Sequence, residues 1–306
     1  MKMLITGASG LLGSAASVYF RDYFDVTSTY ASHKIGIKGC KTEMLDITDA
    51  AGTKEFVSKL KPDVILHTAS LVGINLCEKD RELACKINVQ GAKNISDAAA
   101  MSKSKLAYIS TDYVFDGSRG MYSETDSPNP INYYGTTKLE GEKFIDTKRN
   151  VIVRTSIYGW NVVSERKSFS TWAIDELKKG SKINLFTDQF NSMMLVNDLA
   201  KALKKIIDKD FCGIVNLAST EKISKHEFAL ELCNAFKLDK SLVNPITLND
   251  MAGKELRPKD TSLDVSKALK ELKIKLPDCK SGILQMKKIQ KDYFGNFTSG
   301  IIFNRQ

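Results

Sequence analysis

The sequence has few of the residues on which disulfide scaffolds and zinc sites depend. Its 306 residues include six cysteines and three histidines, with no CxxC pair and no partnering histidine. We therefore expect reduced, mostly packed thiols and no metal site. No apolar run approaches the roughly 18 residues that span a membrane, and the opening MKMLIT is typical of a strand rather than of a secretion signal. These absences predict a cytoplasmic protein with no membrane partner.

The chain also lacks a concentrated basic patch, although its formal net charge is +9. The lysines are spread along helical segments such as 201–209 and 267–292, and no aromatic residues are interleaved with a basic cluster. We therefore expect no nucleic-acid partner. A basic surface is compatible with an anionic substrate that carries a diphosphate.

Short β-branched runs alternate with amphipathic segments through the first half of the chain. This alternation predicts βαβ units and a Rossmann-type, doubly wound parallel sheet with helices on both faces. The predicted strands are Met3–Thr6, Val26–Thr29, Val64–Thr68, Leu106–Ser110 and Val151–Arg154. The predicted helices between them lie near 11–22, 49–60, 80–102 and 134–147.

The alternation becomes less regular after about residue 155. We expect a dinucleotide-binding core over 1–155 and a smaller α/β part over 156–306 that mainly binds substrate, with some later segments returning to the core. The predicted elements of the second part are helices near 168–179, 197–207 and 224–236, with strands Ile183–Phe186 and Gly213–Leu217.

A glycine-rich turn follows the first predicted strand and precedes the first predicted helix. Its glycines are Gly7, Gly10 and Gly13, in a GxxGxxG spacing. Gly7 permits the tight turn, Gly10 lets the backbone approach a pyrophosphate, and Gly13 allows the helix to pack closely on the strand. The N-terminus of the helix adds free N–H groups and the positive end of its dipole. The turn predicts a dinucleotide site, with a purely structural turn as the alternative.

No acidic residue stands at the end of the second predicted strand, where NAD-binding proteins place one against the ribose 2′-hydroxyl. The strand leads instead into Ser32, His33 and Lys34, and the next acidic residue is Glu43. The three residues are suited to a 2′-phosphate, so the segment favours NADP over NAD. An ordinary solvated loop is the alternative.

Tyr134 and Lys138 are four residues apart, which places both side chains on one face of a helix. A free tyrosine has a pKa of about 10. A lysine ammonium at about 4 Å would lower it by up to roughly three units at an effective dielectric near 20. The pair predicts proton transfer, and the lysine is also suited to bind a nicotinamide ribose. Two surface residues on a helix would have the same spacing.

Thr111 lies in the segment STDYVFDG, which follows the fourth predicted strand. In a parallel sheet the carboxyl end of a central strand faces the ligand crevice. A hydroxyl group there can bind a carbonyl oxygen that gains negative charge during hydride transfer.

These motifs resemble those of the extended short-chain dehydrogenases, and STDYVFDG resembles the branch that contains the dTDP-4-dehydrorhamnose reductases. The resemblance covers nearly the whole chain. Further segments that match in the same order are KINVQG from Lys86, YGTTKLEGE from Tyr134, RTSIYG from Arg154, Asp188-Gln189 with VNDLA from Val196, and Arg257-Pro258.

The resemblance implies roles for individual residues. Tyr134 would protonate the C4 carbonyl oxygen of the sugar, Lys138 would lower its pKa and bind ribose, and Thr111 would hold the same oxygen. The cofactor residues that it implies are Gly7, Gly10, Leu11, Leu12 and Gly13 at the pyrophosphate, Asp46 and Ile47 beside the adenine, and Thr68, Ala69 and Ser70 along the ribose. The alternative, which is equally compatible with the sequence, is that Asp46 stands at a helix N-terminus and Ile47 in the core, with no contact to the adenine.

Three other polar residues have roles that the pattern leaves open. Asn88 would steady the central helix or a water chain, or be a buried structural amide. Arg154 is better explained as structural than as a substrate ligand, and His67, on an apolar strand, as a core histidine rather than a base.

Two segments depart from the pattern of the reductase branch. Val72 and Asn75 stand where threonine and aspartate are usual, and 191–194 reads NSMM where GxPT is common. Both segments are expected to line the sugar, so they put the identity of the sugar in doubt rather than the chemistry.

The resemblance implies an NAD(P)H-dependent reductase of a nucleotide-linked 4-keto-6-deoxysugar such as dTDP-4-dehydrorhamnose. NADPH is favoured, NAD is the alternative cofactor, and a homodimer is compatible with the family. Two alternatives remain open: a sugar-nucleotide epimerase or epimerase-reductase, and a non-catalytic regulatory subunit like that of methionine adenosyltransferase.

Overall fold

A seven-stranded parallel sheet forms the centre of the protein, and its strands lie side by side in the order Gly213–Asn216, Val151–Arg154, Lys105–Ile109, Val64–His67, Lys2–Thr6, Asp25–Tyr30 and Lys41–Met44. The computed structural model describes residues 1–162, 167–250 and 256–299. The strands are β1 Lys2–Thr6, β2 Asp25–Tyr30, β3 Gly36–Ile37, β4 Lys41–Met44, β5 Val64–His67, β6 Lys105–Ile109, β7 Val151–Arg154, β8 Ile157–Tyr158, β9 Ile183–Phe186, β10 Phe190–Asn191, β11 Met194–Leu195, β12 Gly213–Asn216, β13 Ile223–Ser224, β14 Val243–Ile246 and β15 Phe297–Ser299.

The helices lie between these strands and cover the sheet on both faces. They are α1 Leu11–Phe20, α2 Ala50–Leu60, α3 Ile74–Lys79, α4 Arg81–Cys85, α5 Gly91–Ser102, α6 Tyr133–Glu142, α7 Phe169–Lys178, α8 Val196–Asp208, α9 Lys225–Phe236, α10 Ser266–Glu271 and α11 Cys279–Phe294. A π-helical turn, Lys86–Gln90, joins α4 to α5. The predicted doubly wound parallel sheet is thereby confirmed.

The two faces of the sheet carry separate apolar cores. Along β1, Met3 and Ile5 pack into one core with Phe20, whereas Leu4 packs into the other with Ile65. Because successive side chains of a strand point to opposite faces, a strand that is buried on both sides is apolar throughout. Each such side chain contributes about 1.5–3 kcal/mol when fully buried.

The second half of the chain contributes to the central sheet as well as to the smaller part. Strand β12 pairs in parallel with β7, with Gly213 opposite Val151, and helix α8 packs against α1. The smaller part contains β9 paired with β14 and the helices α7 and α9, which contact one another. The division at residue 155 remains a prediction.

Several predicted boundaries differ from the structure. The helix predicted over 80–102 is interrupted by the π-helical turn, and the one predicted over 134–147 ends at Glu142, where the chain turns and buries Ile145 in a core. Strand β4 was not predicted, because its residues KTEM are mostly exposed at the sheet edge and carry no apolar alternation.

The described residues contain neither a membrane-spanning helix nor a cluster of metal ligands. None of the helices there is long and apolar enough to cross a membrane, and no group of three or more histidine, cysteine, aspartate or glutamate residues there is arranged to hold a metal ion.

Candidate active site

A cavity of about 550 Å³ lies at the carboxyl ends of β1, β5, β6 and β7. In open parallel sheets this edge is where ligands bind. Residues predicted to bind cofactor or to act on substrate that line it are Gly10, Leu11, Leu12, Gly13, Thr68, Ser70, Thr111, Tyr134 and Lys138.

The glycine turn packs so tightly at Gly7 and Gly13 that neither position has room for a side chain. Gly7 has a φ of +73°, and a Cβ there would lie 2.7 Å from the backbone of Ala69. A Cβ on Gly13 would overlap the carbonyl oxygen of Gly7 and would also lie 2.8 Å from the Oγ1 of Thr68. The three glycines therefore bring the first turn of α1 against the ends of β1 and β5, as the spacing predicted.

Helix α1 begins at the cavity without a cap. Its N-cap residue is Gly10, no side chain among the described residues accepts a hydrogen bond from its first turn, and that turn carries no acidic residue. Leu11, Leu12 and Gly13 line the cavity at this point. A helix N-terminus with free N–H groups and a positive dipole end is suited to the pyrophosphate of a dinucleotide.

The segment after β5 is fixed by a buried amide. The Nδ2 of Asn88 donates to the carbonyl oxygen of Leu71 at 3.0 Å and to the Oγ1 of Thr137 at 3.0 Å, while its Oδ1 accepts from Ser70 and from the Leu71 N–H, both at 2.8 Å. Asn88 thus connects the predicted ribose-side segment to helix α6. These contacts describe a structural amide with its hydrogen-bonding capacity filled, one of the two roles left open by the sequence.

Residues predicted at the adenosine end lie outside the cavity. Ser32 and Lys34 are exposed, and His33 bonds Ser32 at 2.9 Å between its Nδ1 and the serine Oγ. The Oδ1 of Asp46 accepts from the N–H and the hydroxyl of Thr48, and Ile47 is buried in a core. Contacts of these five residues with a cofactor remain predictions.

Thr111 and Tyr134 are brought together at the cavity wall. Asn132 caps α6 by accepting from the Gly135 N–H at 2.9 Å, which starts the helix at Tyr133 and sets the position of Tyr134. Thr111 and Tyr134 both line the cavity, and the Thr111 side chain is near enough to lower the pKa of the Tyr134 phenol. The Thr111 hydroxyl also lies 3.0 Å from the Oδ1 of Asp112, to which it can donate.

The expected lowering of the Tyr134 pKa is wrong for this structure. Burial raises the pKa of the Tyr134 phenol above its usual value, and the largest opposing influence comes from the Thr111 side chain rather than from the charge of Lys138. The cause is the burial of the phenol itself. Lys138 is also buried, and its Nζ lies over the ring of Tyr108 at 4.3 Å from the centroid. Tyr134 is consequently a protonated phenol near neutral pH.

Burial lowers the pKa of Lys138 to about 7, and the carboxylate of Glu142 only partly opposes this change. An amine with that pKa exchanges its proton close to neutral pH, which suits acid–base chemistry.

His67, packed nearby on β5, bonds the Oγ1 of Thr6 at 2.7 Å, and burial lowers its pKa to about 3. His67 is thus a neutral core histidine, as the sequence indicated.

Glu142 is held by a buried ion pair behind the site. Arg154 donates to it from Nε at 3.0 Å and from Nη2 at 2.7 Å, and the Ser110 hydroxyl donates at 2.5 Å. The arginine and the glutamate are 3% and 6% exposed, so neither reaches a substrate. Arg154 is therefore structural, and it fixes the end of helix α6 against β7.

Asp112 is a site residue that the sequence reasoning did not single out. Its Oδ2 accepts from Thr261 and from Asn191, each at 2.6 Å. It is 3% exposed, and burial raises the pKa of its carboxyl group. The sequence signal that could have identified Asp112 is its position within STDYVFDG, directly after Thr111.

Of the segments that depart from the reductase pattern, the first reaches the cavity through Val72, and the second contacts the cavity residue Asp112 through Asn191. Val72 lines the cavity and is 59% exposed. The Oδ1 of Asn75 accepts from the Nη2 of Arg257 at 3.0 Å. Asn191 is buried against Asp112.

Sequence comparison places this chain near two kinds of protein. A family model described as the RmlD substrate binding domain matches residues 1–291. Methionine adenosyltransferase 2 subunit beta of Xenopus laevis is 32% identical over 281 residues, which span 87% of this chain and 81% of that protein.

Similar solved structures include two described as dTDP-4-dehydrorhamnose reductases. A hypothetical one from Sulfolobus tokodaii is 36% identical with a TM-score of 0.79, covering 88% of this chain and 94% of that one. The one from Bacillus anthracis, solved in complex with NADP, is 29% identical with a TM-score of 0.84, covering 94% and 98% of the two chains.

Proposed function

This chain belongs to the family of RmlD substrate-binding domains, and on that premise we propose that it is an NADPH-dependent reductase. Its substrate would be a nucleotide-linked 4-keto-6-deoxysugar such as dTDP-4-dehydrorhamnose. The observation that carries the proposal is that Thr111, Tyr134 and Lys138 line one cavity together with the uncapped N-terminus of helix α1.

The residues present fit a nicotinamide dinucleotide. The turn leaves no room for a side chain at Gly7 or Gly13. The first turn of α1 has no side-chain cap, so its N–H groups are available for a pyrophosphate. Thr68, Ala69 and Ser70 would follow the ribose. When bound, the cofactor supplies the hydride that reduces C4 of the sugar.

The remaining cofactor contacts are proposed from the sequence. Ser32, His33 and Lys34 would hold a 2′-phosphate, which favours NADPH over NADH. Asp46 and Ile47 would lie beside the adenine. The NADP complex of the Bacillus anthracis relative supports this choice.

Tyr134 would act as the proton donor. Because burial keeps the phenol protonated, it holds the proton that the C4 oxygen needs as negative charge develops there. Thr111 would hold the same oxygen through its hydroxyl group. Lys138 would bind the nicotinamide ribose, and its low pKa would let it return a proton to Tyr134 near neutral pH.

A regulatory subunit is a second candidate, favoured by the 32% identity to methionine adenosyltransferase 2 subunit beta. Two observations favour the reductase. The chain covers 98% of the Bacillus anthracis reductase but 81% of the regulatory subunit, and its Thr111, Tyr134 and Lys138 are all in place around one cavity.

The test mixes purified protein with NADPH and dTDP-4-dehydrorhamnose and follows NADPH absorbance and the reduced sugar by chromatography. One mole of C4 alcohol per mole of NADPH consumed is expected. Sugar conversion without net NADPH consumption would instead identify an epimerase. Tight binding to a methionine adenosyltransferase catalytic subunit without any turnover would identify a regulatory subunit.

The assembly and location of the protein are proposed on the same basis. We expect a cytoplasmic protein that is compatible with a homodimer. Light scattering of the purified protein measures its mass directly, and a mass of one chain would contradict the dimer.

A further inference from the structure

Lys225 is a cation close to the cavity, and it forms no ion pair with a carboxylate among the described residues. It is the first residue of α9, and the Ser224 side chain that caps the helix is engaged with Glu227 in a reciprocal capping box. The Nζ of Lys225 lies 3.3 Å from the Sδ of Met193, a weak acceptor, and 5.0 Å from the ring centroid of Phe169.

The position of Lys225 is unfavourable for a cation unless an anion joins it. A positive side chain in the first turn faces the positive end of the helix dipole. Asp112 is near enough to interact with the lysine charge, but each of its carboxylate oxygens already accepts hydrogen bonds from other groups. Phe169 and Asp112 both line the cavity, so the ammonium lies beside the space for substrate.

Arg257 adds a second cation to this side. The charge of Arg257 lowers the pKa of Lys225, as expected of a neighbouring cation. The Nε of Arg257 is buried with no hydrogen-bond partner among the described residues. Its Nη2 donates to Asn75, a neutral amide where the reductase pattern usually has aspartate. Neither cation thus forms an ion pair with a carboxylate among the described residues, although the charge of Asp112 acts on Lys225 from a greater distance.

We propose that Lys225, supported by Arg257, binds an anionic oxygen group of the sugar nucleotide. This inference rests on the proposed function, from which it takes the sugar nucleotide as the class of substrate. Two parts of such a molecule carry that chemistry: the diphosphate, and a carboxylate on the sugar. Met193, which contacts the lysine, belongs to the NSMM segment that departs from the reductase pattern, so this feature would also contribute to the choice of sugar.

The test measures binding by calorimetry, without turnover. Lys225→Met retains the aliphatic stem and removes the charge, and Lys225→Arg retains the charge. Lys222→Met is the matched control: its Nζ also lies over a ring, Phe190 at 5.1 Å, but it is exposed and paired with Asp260 at 2.6 Å. The probes are dTDP, UDP-glucose and UDP-glucuronic acid, and thermal unfolding of each variant verifies the fold.

If Lys225 binds the diphosphate, Lys225→Met weakens dTDP binding about 10- to 100-fold, the range of a charge-assisted hydrogen bond. Lys222→Met and Lys225→Arg then stay within about threefold of the parent protein. If Lys225 binds a sugar carboxylate, dTDP binding is unchanged, but the preference for UDP-glucuronic acid over UDP-glucose is lost in Lys225→Met. Unchanged binding of all three probes, or no binding by the parent protein, overturns the proposal.

The failure of this proposal is distinguishable from that of the proposed function. NADPH consumption with dTDP-4-dehydrorhamnose, together with unchanged probe binding by Lys225→Met, refutes the role of Lys225 and leaves the reductase intact. Weakened probe binding in a protein that never consumes NADPH supports the anion site and refutes the reductase.

Discussion

Replacing Lys138 by methionine is expected to stabilise the protein at neutral pH while abolishing its activity. The lysine side chain is 3% exposed, and burial lowers its pKa from 10.5 to about 7. The charged groups around it do not compensate, since Glu142 is already paired with Arg154 and His67 is neutral. Methionine would keep the packing of the aliphatic stem and remove the amine.

The size of this effect follows from the two pKa values of the lysine. Between pH 7 and pH 10.5 the unfolded chain holds a proton that the folded one has largely lost, so stability rises with pH through this window. A pKa difference of about 3.5 corresponds to an upper limit of about 5 kcal/mol. Below pH 7 both states hold the proton and the penalty is constant, whereas above pH 10.5 neither does and the penalty disappears.

Urea unfolding at about pH 7 and about pH 9.5 measures this linkage. The free energy of unfolding of Lys138→Met should exceed that of the parent protein at pH 7, and the excess should shrink by roughly 2–4 kcal/mol at the higher pH. Lys143→Met is the control, because that lysine is 61% exposed, and its difference from the parent should not change with pH. A Lys138→Met excess that stays constant or grows with pH would refute the reasoning.

Three further predictions concern the cofactor site and the ion pair behind it. Gly13→Ala should weaken NADPH binding at least about tenfold, because its Cβ would overlap the turn. The control Gly295→Ala, whose Cβ has no neighbour within 3.4 Å, should bind NADPH as the parent protein does. Equal titration curves for the two variants would contradict this prediction. Arg154→Leu should lower the free energy of unfolding by about 3–5 kcal/mol by leaving Glu142 buried and unpaired, and Arg154→Leu with Glu142→Leu should recover most of the loss; a double variant no more stable than the single one would count against it. Lys34→Ala should reduce the preference for NADPH over NADH in calorimetry, and an unchanged ratio would exclude the lysine from the 2′-phosphate site.

The central sheet could be predicted because its signal is local. Each strand buried on both faces appears as an apolar run, as in Val64–His67, and each is followed by a helical period. The glycine turn was predictable for a similar reason, since only glycine fits where Gly7 approaches Ala69. Strand β4 and the π-helical turn were missed because the edge strand is polar and the extra residue of a π turn leaves no mark in composition.

The electrostatics of the site could not be predicted from spacing. The interval of four residues correctly placed Tyr134 and Lys138 on one helix, but the pKa of each depends on what surrounds it. Lys138 is buried against Tyr108, a residue 30 positions away in sequence, and burial lowers the pKa of the lysine to about 7. The sequence alone suggested a fully charged ammonium. Lys225 was missed for the same reason, because its neighbours Met193 and Phe169 come from other elements.

The most direct test of the central claim is the turnover number of Tyr134→Phe with dTDP-4-dehydrorhamnose and NADPH. The variant removes one hydroxyl group from a site that should otherwise bind cofactor as before, and calorimetry with NADPH verifies this. If Tyr134 donates the proton, kcat falls by about 10²- to 10⁴-fold while the Kd of NADPH stays unchanged. A variant that turns over at the parent rate would contradict the assignment of Tyr134 as the proton donor.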